Sequence, residues 1–318
     1  LAGHKNNRPG KTPLKAHAAK PKSPLKTKAI HWMQAKDRYI VGVDEASRIP
    51  LPRNLTEALA HPMWREAITK ETSSIKTNET FEFVPRTHAA NLPRDVRRAI
   101  GKSIPTHFVF RAKPDKNGKL LKLKARLVAN GNNQEEGINY FTSYAPVASA
   151  ATIKVQVAHS LINSMIQESW DYASAYLQGL LNEMIYVSLP GDSSEYGIEV
   201  PKGCRILLRK SICGLVQAGN VWFNLLKTSL LKAGFNQCPY EQCLFTKDFP
   251  DGSQIIITTY VDDLLVTSNS REHLDATFEV LSSDLKIGNR EGLSWHLGMR
   301  FRRLGNSATI DQEAYTIQ

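Results

Sequence analysis

The chain has 318 residues, of which 42% are hydrophobic, and its formal net charge is +11 at pH 7. This length and apolar content are enough for one large domain or two modest ones with a sizeable core. No run approaches the roughly 20 apolar residues that a membrane span needs, and no apolar segment follows the amino-terminal charges as it would in a signal peptide. We therefore expect an intracellular protein with no membrane partner.

The positive charge is concentrated at the amino end. Residues 1–40 carry ten Lys or Arg against Asp37 alone, whereas the rest of the chain is nearly neutral. Pro, Ala and Gly are frequent here and apolar periodicity is absent, so we predict a disordered basic linker over residues 1–48. This linker would either add salt-dependent affinity for nucleic acid or serve as a solubilising segment.

A helix is predicted from Pro62, which suits the first helical position. Helical spacing places five residues on one face of it: Trp64, Ala67, Ile68, Glu71 and Ile75. Trp64 is in phase with this apolar stripe, which favours a core position over a stacking contact with nucleic acid.

A β-hairpin is predicted around PDKNG, with Asn117 and Gly118 at the turn. In its second strand, apolar residues alternate with cations, and period two places Lys122, Lys124 and Arg126 on one face. Such a face is either solvated or suited to phosphate, which arginine can bind through two hydrogen bonds.

The segment TIKVQVAHSLINSMIQES is predicted to be an amphipathic helix with Thr152 as its N-cap. It leads to Asp171 at the edge of an apolar element, and Tyr176 follows five positions later. Two strands, EMIYVSLPGD and RILLRK, come next. A helix follows, with Trp222, Leu226 and Leu230 in one apolar row and Gly234 near its end.

The stretch SQIIITTYVDDLLVTSN contains two apolar β-rich runs, with Asp262 and Asp263 predicted as the turn between them. Aspartate is common in turns, but two adjacent carboxylates in a buried hairpin repel each other, and a hard divalent cation would relieve that repulsion. Asp171 offers a third carboxylate from a separate element. Two-metal phosphoryl transfer needs carboxylates that converge in this way.

Beyond this hairpin, a helix terminated by Gly288 is predicted. Its four apolar residues at helical spacing are Leu274, Phe278, Leu281 and Leu285. The strand LSWHLGMRFRR follows. Its His296 and Arg300 would either contact phosphate or lie on an ordinary exposed strand face.

Four segments resemble, in order and spacing, the reverse transcriptase of copia-type LTR retrotransposons: LKARLVANGNNQEEGINYFTSYAPVAS, WDYASAYLQGLLNEMIYVSLPGD, LLRKSICGLVQAGNVWF and YVDDLLVTSNS. The resemblance runs from about residue 50 to the last residue. It implies an α+β right-hand polymerase fold with a truncated thumb, forming a reverse transcriptase domain over residues 49–318. The fingers would occupy about 80–168, the palm about 169–300, and the start of the thumb the remainder.

The resemblance also implies an RNA-directed DNA polymerase, a nucleotidyltransferase that adds dNTPs to a DNA primer on an RNA template. Its catalytic and metal-binding residues would be Asp171, Asp262 and Asp263, with two Mg²⁺ ions, or Mn²⁺ in their place. Four residues correspond to substrate contacts in the family. Lys124 and Arg126 would contact the triphosphate, Tyr176 would crowd a 2′-hydroxyl, and Gln217 would help to place the nucleotide.

The segment SICGLVQAGN around Gln217 departs from the family pattern. Cys213, Val216, Gly219 and Asn220 stand where Tyr, Lys, Pro and Arg are usual in these enzymes. The replaced lysine and arginine put local contacts with nucleic acid in doubt.

In copia-type elements the polymerase lies in a polyprotein, after the integrase and before the ribonuclease H. The resemblance therefore implies a fragment lacking most of the thumb, inactive in isolation, with a cytoplasmic location in virus-like particles and a nuclear phase. Two alternatives stay open. One is an inactive, nucleic-acid-binding remnant of such an element, and the other is a metal-dependent nuclease that uses the same carboxylates.

Overall fold

The structure is a computed structural model that describes residues 49–114, 120–305 and 307–312. The predicted basic linker and the predicted turn residues Asn117 and Gly118 lie outside these ranges. Among the described helices, none is long and apolar enough to cross a membrane.

Helices and strands alternate along most of the described chain. The helices are α1 (Leu55–Ala60), α2 (Pro62–Thr77), α3 (Arg94–Ile100), α4 (Ala150–Ile162), α5 (Ala218–Lys232) and α6 (Arg271–Asp284). The strands are β1 (Phe81–Pro85), β2 (Ile104–Pro114), β3 (Leu120–Ala129), β4 (Ile166–Tyr172), β5 (Leu180–Ser188), β6 (Cys204–Lys210), β7 (Asn236–Gln237), β8 (Leu244–Asp248), β9 (Gln254–Tyr260), β10 (Asp263–Ser268), β11 (Ile287–Gly292), β12 (Trp295–His296), β13 (Met299–Leu304) and β14 (Ser307–Asp311).

The first sheet has the strand order β1-β6-β5-β2-β3. The predicted hairpin is present as the antiparallel pair β2 and β3, and α2 packs on β3 through a shared core that includes Trp64, Ile68, Leu123 and Ala125. Trp64 is fully buried and its Nε1 donates to the carbonyl of Pro50 at 2.8 Å. The prediction that Trp64 is a core residue is confirmed.

The second sheet has the order β11-β4-β10-β9-β8-β7. The side chains of β10 point alternately to the two faces of this sheet. Leu264 and Val266 face a core that also contains Trp222, whereas Leu265 packs with α4 on the other face. The apolar row predicted along α5 (Trp222, Leu226 and Leu230) is buried in the core that contains Leu264 and Val266. Both faces of this sheet are therefore covered, which holds the β9–β10 hairpin rigidly in place.

A third, smaller sheet has the order β12-β13-β14 and packs against α4. Its strand β12 carries His296, whose side chain is only 3% exposed and whose Nδ1 lies 3.2 Å from Ser169 Oγ. Burial lowers the pKa of His296 to about 4. The expected exposed or phosphate-contacting position of His296 is wrong, because the second sheet covers that side of the strand.

Two helix ends differ from the sequence predictions. The N-cap of α4 is Ser149, whose Oγ accepts from the backbone N–H of Thr152, the residue predicted as the cap. Helix α6 ends at Asp284, and Gly288 belongs to β11 instead. In both cases the helix boundary lies earlier in the chain than the residue pattern predicted.

The chain crosses between the first two sheets three times, and it first passes from the first sheet to the second between β3 and β4. It leaves the second sheet after β4, contributes β5 and β6 to the first sheet, and returns through α5. Strands from the ranges predicted as fingers and as palm thus share the first sheet. The names and boundaries of those subdomains stay a prediction.

Candidate active site

A cleft of about 590 Å³ lies between the first and second sheets. Helix α2 and strand β3 form one wall, and the ends of β4, β11 and the β9–β10 hairpin form the other. Predicted site residues on both walls line it: Lys124, Arg126, Asp171, Tyr176 and Asp262. Five of the seven predicted site residues therefore meet at one cleft, whereas Asp263 and Gln217 are not among its lining residues.

Two of the three aspartates lie on adjacent strands, and the third lies in the turn beside them. Asp263 begins β10 and pairs directly with Asp171 of β4 in the antiparallel register. Because Asp263 also pairs with Tyr260, the turn consists of Val261 and Asp262. The predicted turn, Asp262 and Asp263, is wrong by one residue.

The turn is held in an unfavourable backbone conformation. Val261 has φ of 56°, in the left-handed region where a β-branched side chain is sterically strained. Two hydrogen bonds fix this turn, one from Trp222 Nε1 to the carbonyl of Val261 at 2.7 Å and one from the N–H of Tyr172 to the carbonyl of Asp262 at 2.9 Å. The position of Asp262 is therefore determined by the core beneath it.

The carboxylate oxygens of the three aspartates are of the ligand type that a hard divalent cation prefers. Like charges directly opposite each other on neighbouring strands, as at Asp171 and Asp263, are destabilising without a counter-charge. Within the described ranges, no group of three or more His, Cys, Asp or Glu side chains is arranged to hold a metal ion by itself. Mg²⁺ at phosphoryl-transfer sites is usually held by one or two carboxylates together with substrate phosphates, so a protein cage of three ligands is not required.

The opposite wall of the cleft is cationic. Lys122, Lys124 and Arg126 share one face of β3 and all line the cleft. Arg126 Nη1 lies 2.8 Å from Oε2 of Glu71, a residue of α2 that is only 6% exposed. Burial raises the pKa of the Glu71 carboxyl, and the charge of Arg126 partly opposes this effect. The predicted triphosphate contact is thus ordered by an ion pair.

Tyr176 lies half-buried between the two walls. Its ring packs against the cores of both sheets, and its carbonyl accepts from Ser211 Oγ at 2.6 Å. Burial raises the pKa of the Tyr176 phenol, and the nearby Cys213 and Asp262 add to this effect. The side chain is therefore a neutral, fixed ring at the floor of the cleft.

A profile of the family described as "Reverse transcriptase (RNA-dependent DNA polymerase)" matches residues 88–318. The chain belongs to the reverse transcriptase family. Its relatives include the retrovirus-related Pol polyproteins from transposons RE2 and RE1 of Arabidopsis thaliana, which are 31% and 29% identical over 272 residues. The corresponding polyprotein from transposon TNT 1-94 of Nicotiana tabacum is 27% identical over 269 residues. The predicted resemblance to copia-type elements is confirmed.

These matches cover 84%, 84% and 83% of the chain, but the chain spans less than a fifth of each polyprotein, 17%, 17% and 19% respectively. Among solved structures, a foamy viral protease-reverse transcriptase in complex with double-stranded DNA aligns with a TM-score of 0.35 and 12% identity. That alignment covers 74% of this chain and 33% of the viral one.

Gln217 does not line the cleft. Its side chain is 1% exposed, its Oε1 accepts from Gln134 Nε2 at 2.9 Å, and its Nε2 donates to the carbonyl of Asn139 at 2.8 Å. The structure therefore places Gln217 apart from the other predicted substrate contacts, in an internal hydrogen-bond network that anchors the loop before α4.

Two of the positions that depart from the family pattern also hold this loop. The N–H of Val216 donates to Gln134 Oε1 at 2.8 Å, and Asn220 Nδ2 donates to the carbonyl of Tyr144 at 2.6 Å. The contact at Val216 uses the backbone N–H and does not depend on the side chain, whereas the contact at Asn220, where arginine is usual, uses the side-chain amide.

Among the cleft residues that were not predicted as site residues, three carry polar side chains close to those that were: Glu71, Cys213 and Asn289. Asn289 pairs with Asp171 across β11 and β4, on the side opposite Asp263. Glu71 carried a usable signal, since a carboxylate in phase with an apolar stripe must be buried and requires a cationic partner. Cys213 and Asn289 carried no comparable signal.

Proposed function

We propose that the chain is the polymerase core of a copia-type retrotransposon and extends a DNA primer on an RNA template. The observation that carries this proposal is the pairing of Asp171 with Asp263 beside Asp262, across a cleft from the cationic face of β3. The cations on one wall would bind the anionic triphosphate directly, whereas the carboxylates on the other would act on the primer end through the divalent cations that they hold.

Each predicted site residue except Gln217 has a role in this proposal. Lys124 and Arg126 bind the triphosphate, and Tyr176 excludes a 2′-hydroxyl by contact with the sugar. Asp171 and Asp262 would hold Mg²⁺, or Mn²⁺, while Asp263 completes the acidic cluster. When bound, two such ions would lower the pKa of the primer 3′-hydroxyl and neutralise charge on the triphosphate.

The wider setting is proposed by analogy with the Pol polyproteins. Integrase and ribonuclease H regions would be covalent partners in the same polyprotein, and an RNA template, a DNA primer and dNTPs would be the substrates. The site of action would be a cytoplasmic virus-like particle, with a nuclear phase afterwards.

The test is Mg²⁺-dependent extension of a labelled DNA primer on an RNA template, by the chain and by a form extended at its carboxyl end. Asp262→Asn removes one carboxylate charge, so we expect incorporation to fall by at least about a hundredfold. Mg²⁺ should also raise the melting temperature of the unsubstituted protein and not that of the variant, because a ligand that binds the folded state stabilises it.

Incorporation near the unsubstituted rate by a folded Asp262→Asn protein would overturn this assignment. Primer-template binding without incorporation by either folded form would favour the inactive remnant. Degradation of a labelled duplex without incorporation would favour the nuclease.

A further inference from the structure

Helix α2 precedes the region that the family profile matches, yet it forms part of the cleft. The profile begins at residue 88, whereas α2 ends at Thr77. Four residues of this helix line the cleft: Ala67, Lys70, Glu71 and Ser74. The wall of the candidate nucleotide site is therefore built from two separate segments of the chain.

Glu71 binds β3 at two adjacent positions. Its Oε2 accepts from Arg126 Nη1 at 2.8 Å, and its Oε1 accepts from the backbone N–H of Leu127 at 3.1 Å. The Arg126 side chain is itself 33% exposed, so it reaches from this buried carboxylate toward solvent in the cleft. A guanidinium carries five N–H donors, which allows one arginine to bind a carboxylate and a phosphate together.

A second contact ties α2 to the opposite wall. Ser74 Oγ lies 3.1 Å from Ser174 Oγ, and Asn78 Nδ2 donates to the carbonyl of Ser74 at 2.8 Å. Ser174 has φ of 51° and lies between Asp171 and Tyr176 in the chain. One helix thus contacts both the cationic strand and the segment that carries two predicted site residues.

We propose that Glu71 is a positioning residue for nucleotide binding, which holds the guanidinium of Arg126 in place for the phosphates of the incoming dNTP. This inference rests on the proposed polymerase function and deepens it. Arginine has a long, flexible side chain whose ordering costs free energy. Because Glu71 orders it before the nucleotide arrives, that cost does not reduce the affinity for dNTP.

The first test compares Glu71→Gln with the unsubstituted protein in steady-state incorporation. Glutamine has nearly the same shape as glutamate but no charge, so we expect the KM for dNTP to rise about tenfold, as for the loss of one charge-assisted hydrogen bond. The kcat should change less than about threefold, because the catalytic carboxylates are untouched. Glu279→Gln is the matched control, since Glu279 is an exposed residue of α6 and does not line the cleft.

A double-mutant cycle separates positioning from a general structural role. If Glu71 acts through Arg126, Glu71→Gln should have no further effect on the KM once Arg126 is replaced by alanine. Additive effects would overturn the proposal. If Glu71→Gln fails to fold, Glu71→Asp serves instead, because it keeps the charge and shortens the reach. An unchanged KM in folded Glu71→Asp would also overturn the proposal.

A binding measurement distinguishes this proposal from the polymerase assignment. The affinity for dNTP is measured on a primer-template whose primer lacks a 3′-hydroxyl, so that no chemistry occurs. Weaker binding in Glu71→Gln, with unchanged binding in Glu279→Gln, is the expected result. Unchanged binding in Glu71→Gln overturns the positioning role and leaves the polymerase standing, whereas no dNTP binding by the unsubstituted protein overturns both.

Discussion

At the scale of single residues, the proposed selection of the sugar would depend on Tyr176. Its ring is packed from both sheets and borders the cleft that Asp262 also lines. If the ring crowds a 2′-hydroxyl, Tyr176→Ala should reduce the preference for dNTP over rNTP by about 10- to 100-fold, the usual range for steric discrimination in a pocket. The measurement is the ratio of kcat/KM for dTTP and UTP. Tyr176→Phe is the control, since it keeps the ring and should keep the preference, and unchanged preference in Tyr176→Ala would show that the ring does not contact the sugar.

At the scale of the element, the β9–β10 hairpin depends on a hydrogen bond from the core. Trp222 is buried, and its Nε1 donates to the carbonyl of the strained Val261. Trp222→Phe leaves that carbonyl unpaired and a cavity behind, so the free energy of unfolding should fall by about 2–4 kcal/mol. Incorporation should fall as well, because Asp262 loses its fixed position. Urea unfolding and primer extension measure the two effects.

Trp64 provides the matched control for this prediction. It is equally buried and its Nε1 also donates to a carbonyl, that of Pro50, but it lies in the core beneath α2 and away from the hairpin. Trp64→Phe should cost a similar free energy of unfolding and leave kcat nearly unchanged. Equal losses of kcat in the two variants would mean that stability alone, and not the geometry of the turn, limits incorporation.

At the scale of the whole molecule, the folding unit extends beyond the region that the family profile matches. The core that α1 and α2 share with β2 and β3 would be uncovered in a chain that begins at residue 88. We expect such a chain to lose cooperative thermal unfolding and to aggregate, because several large apolar side chains would face water. Removal of residues 1–48 alone should leave the melting transition unchanged. Circular dichroism and size-exclusion chromatography test both forms, and cooperative unfolding of the shorter one would contradict this view.

Periodic patterns predicted the elements, but not the partners of polar residues within them. The alternation in β3 and the stripe along α2 were legible because burial of one face requires that spacing. His296 was misinterpreted because β12 is covered on the side that an isolated strand would expose, and Gln217 because its partners lie about 80 residues away in sequence. Such contacts depend on which elements meet, and local spacing does not contain that information.

The order of strands in the second sheet has a consequence for folding during synthesis. Strand β4 carries Asp171, yet both of its neighbours, β10 and β11, follow it by roughly ninety residues or more. At about 5–20 residues per second of synthesis, β4 leaves the ribosome with both edges unpaired and stays so for roughly 5 to 20 seconds. Unpaired strand edges can pair with other chains. The pairing of β4 with β10 brings the three aspartates together, and until it occurs the nascent chain is open to aggregation. Translation speed and chaperones should therefore influence how much active protein forms.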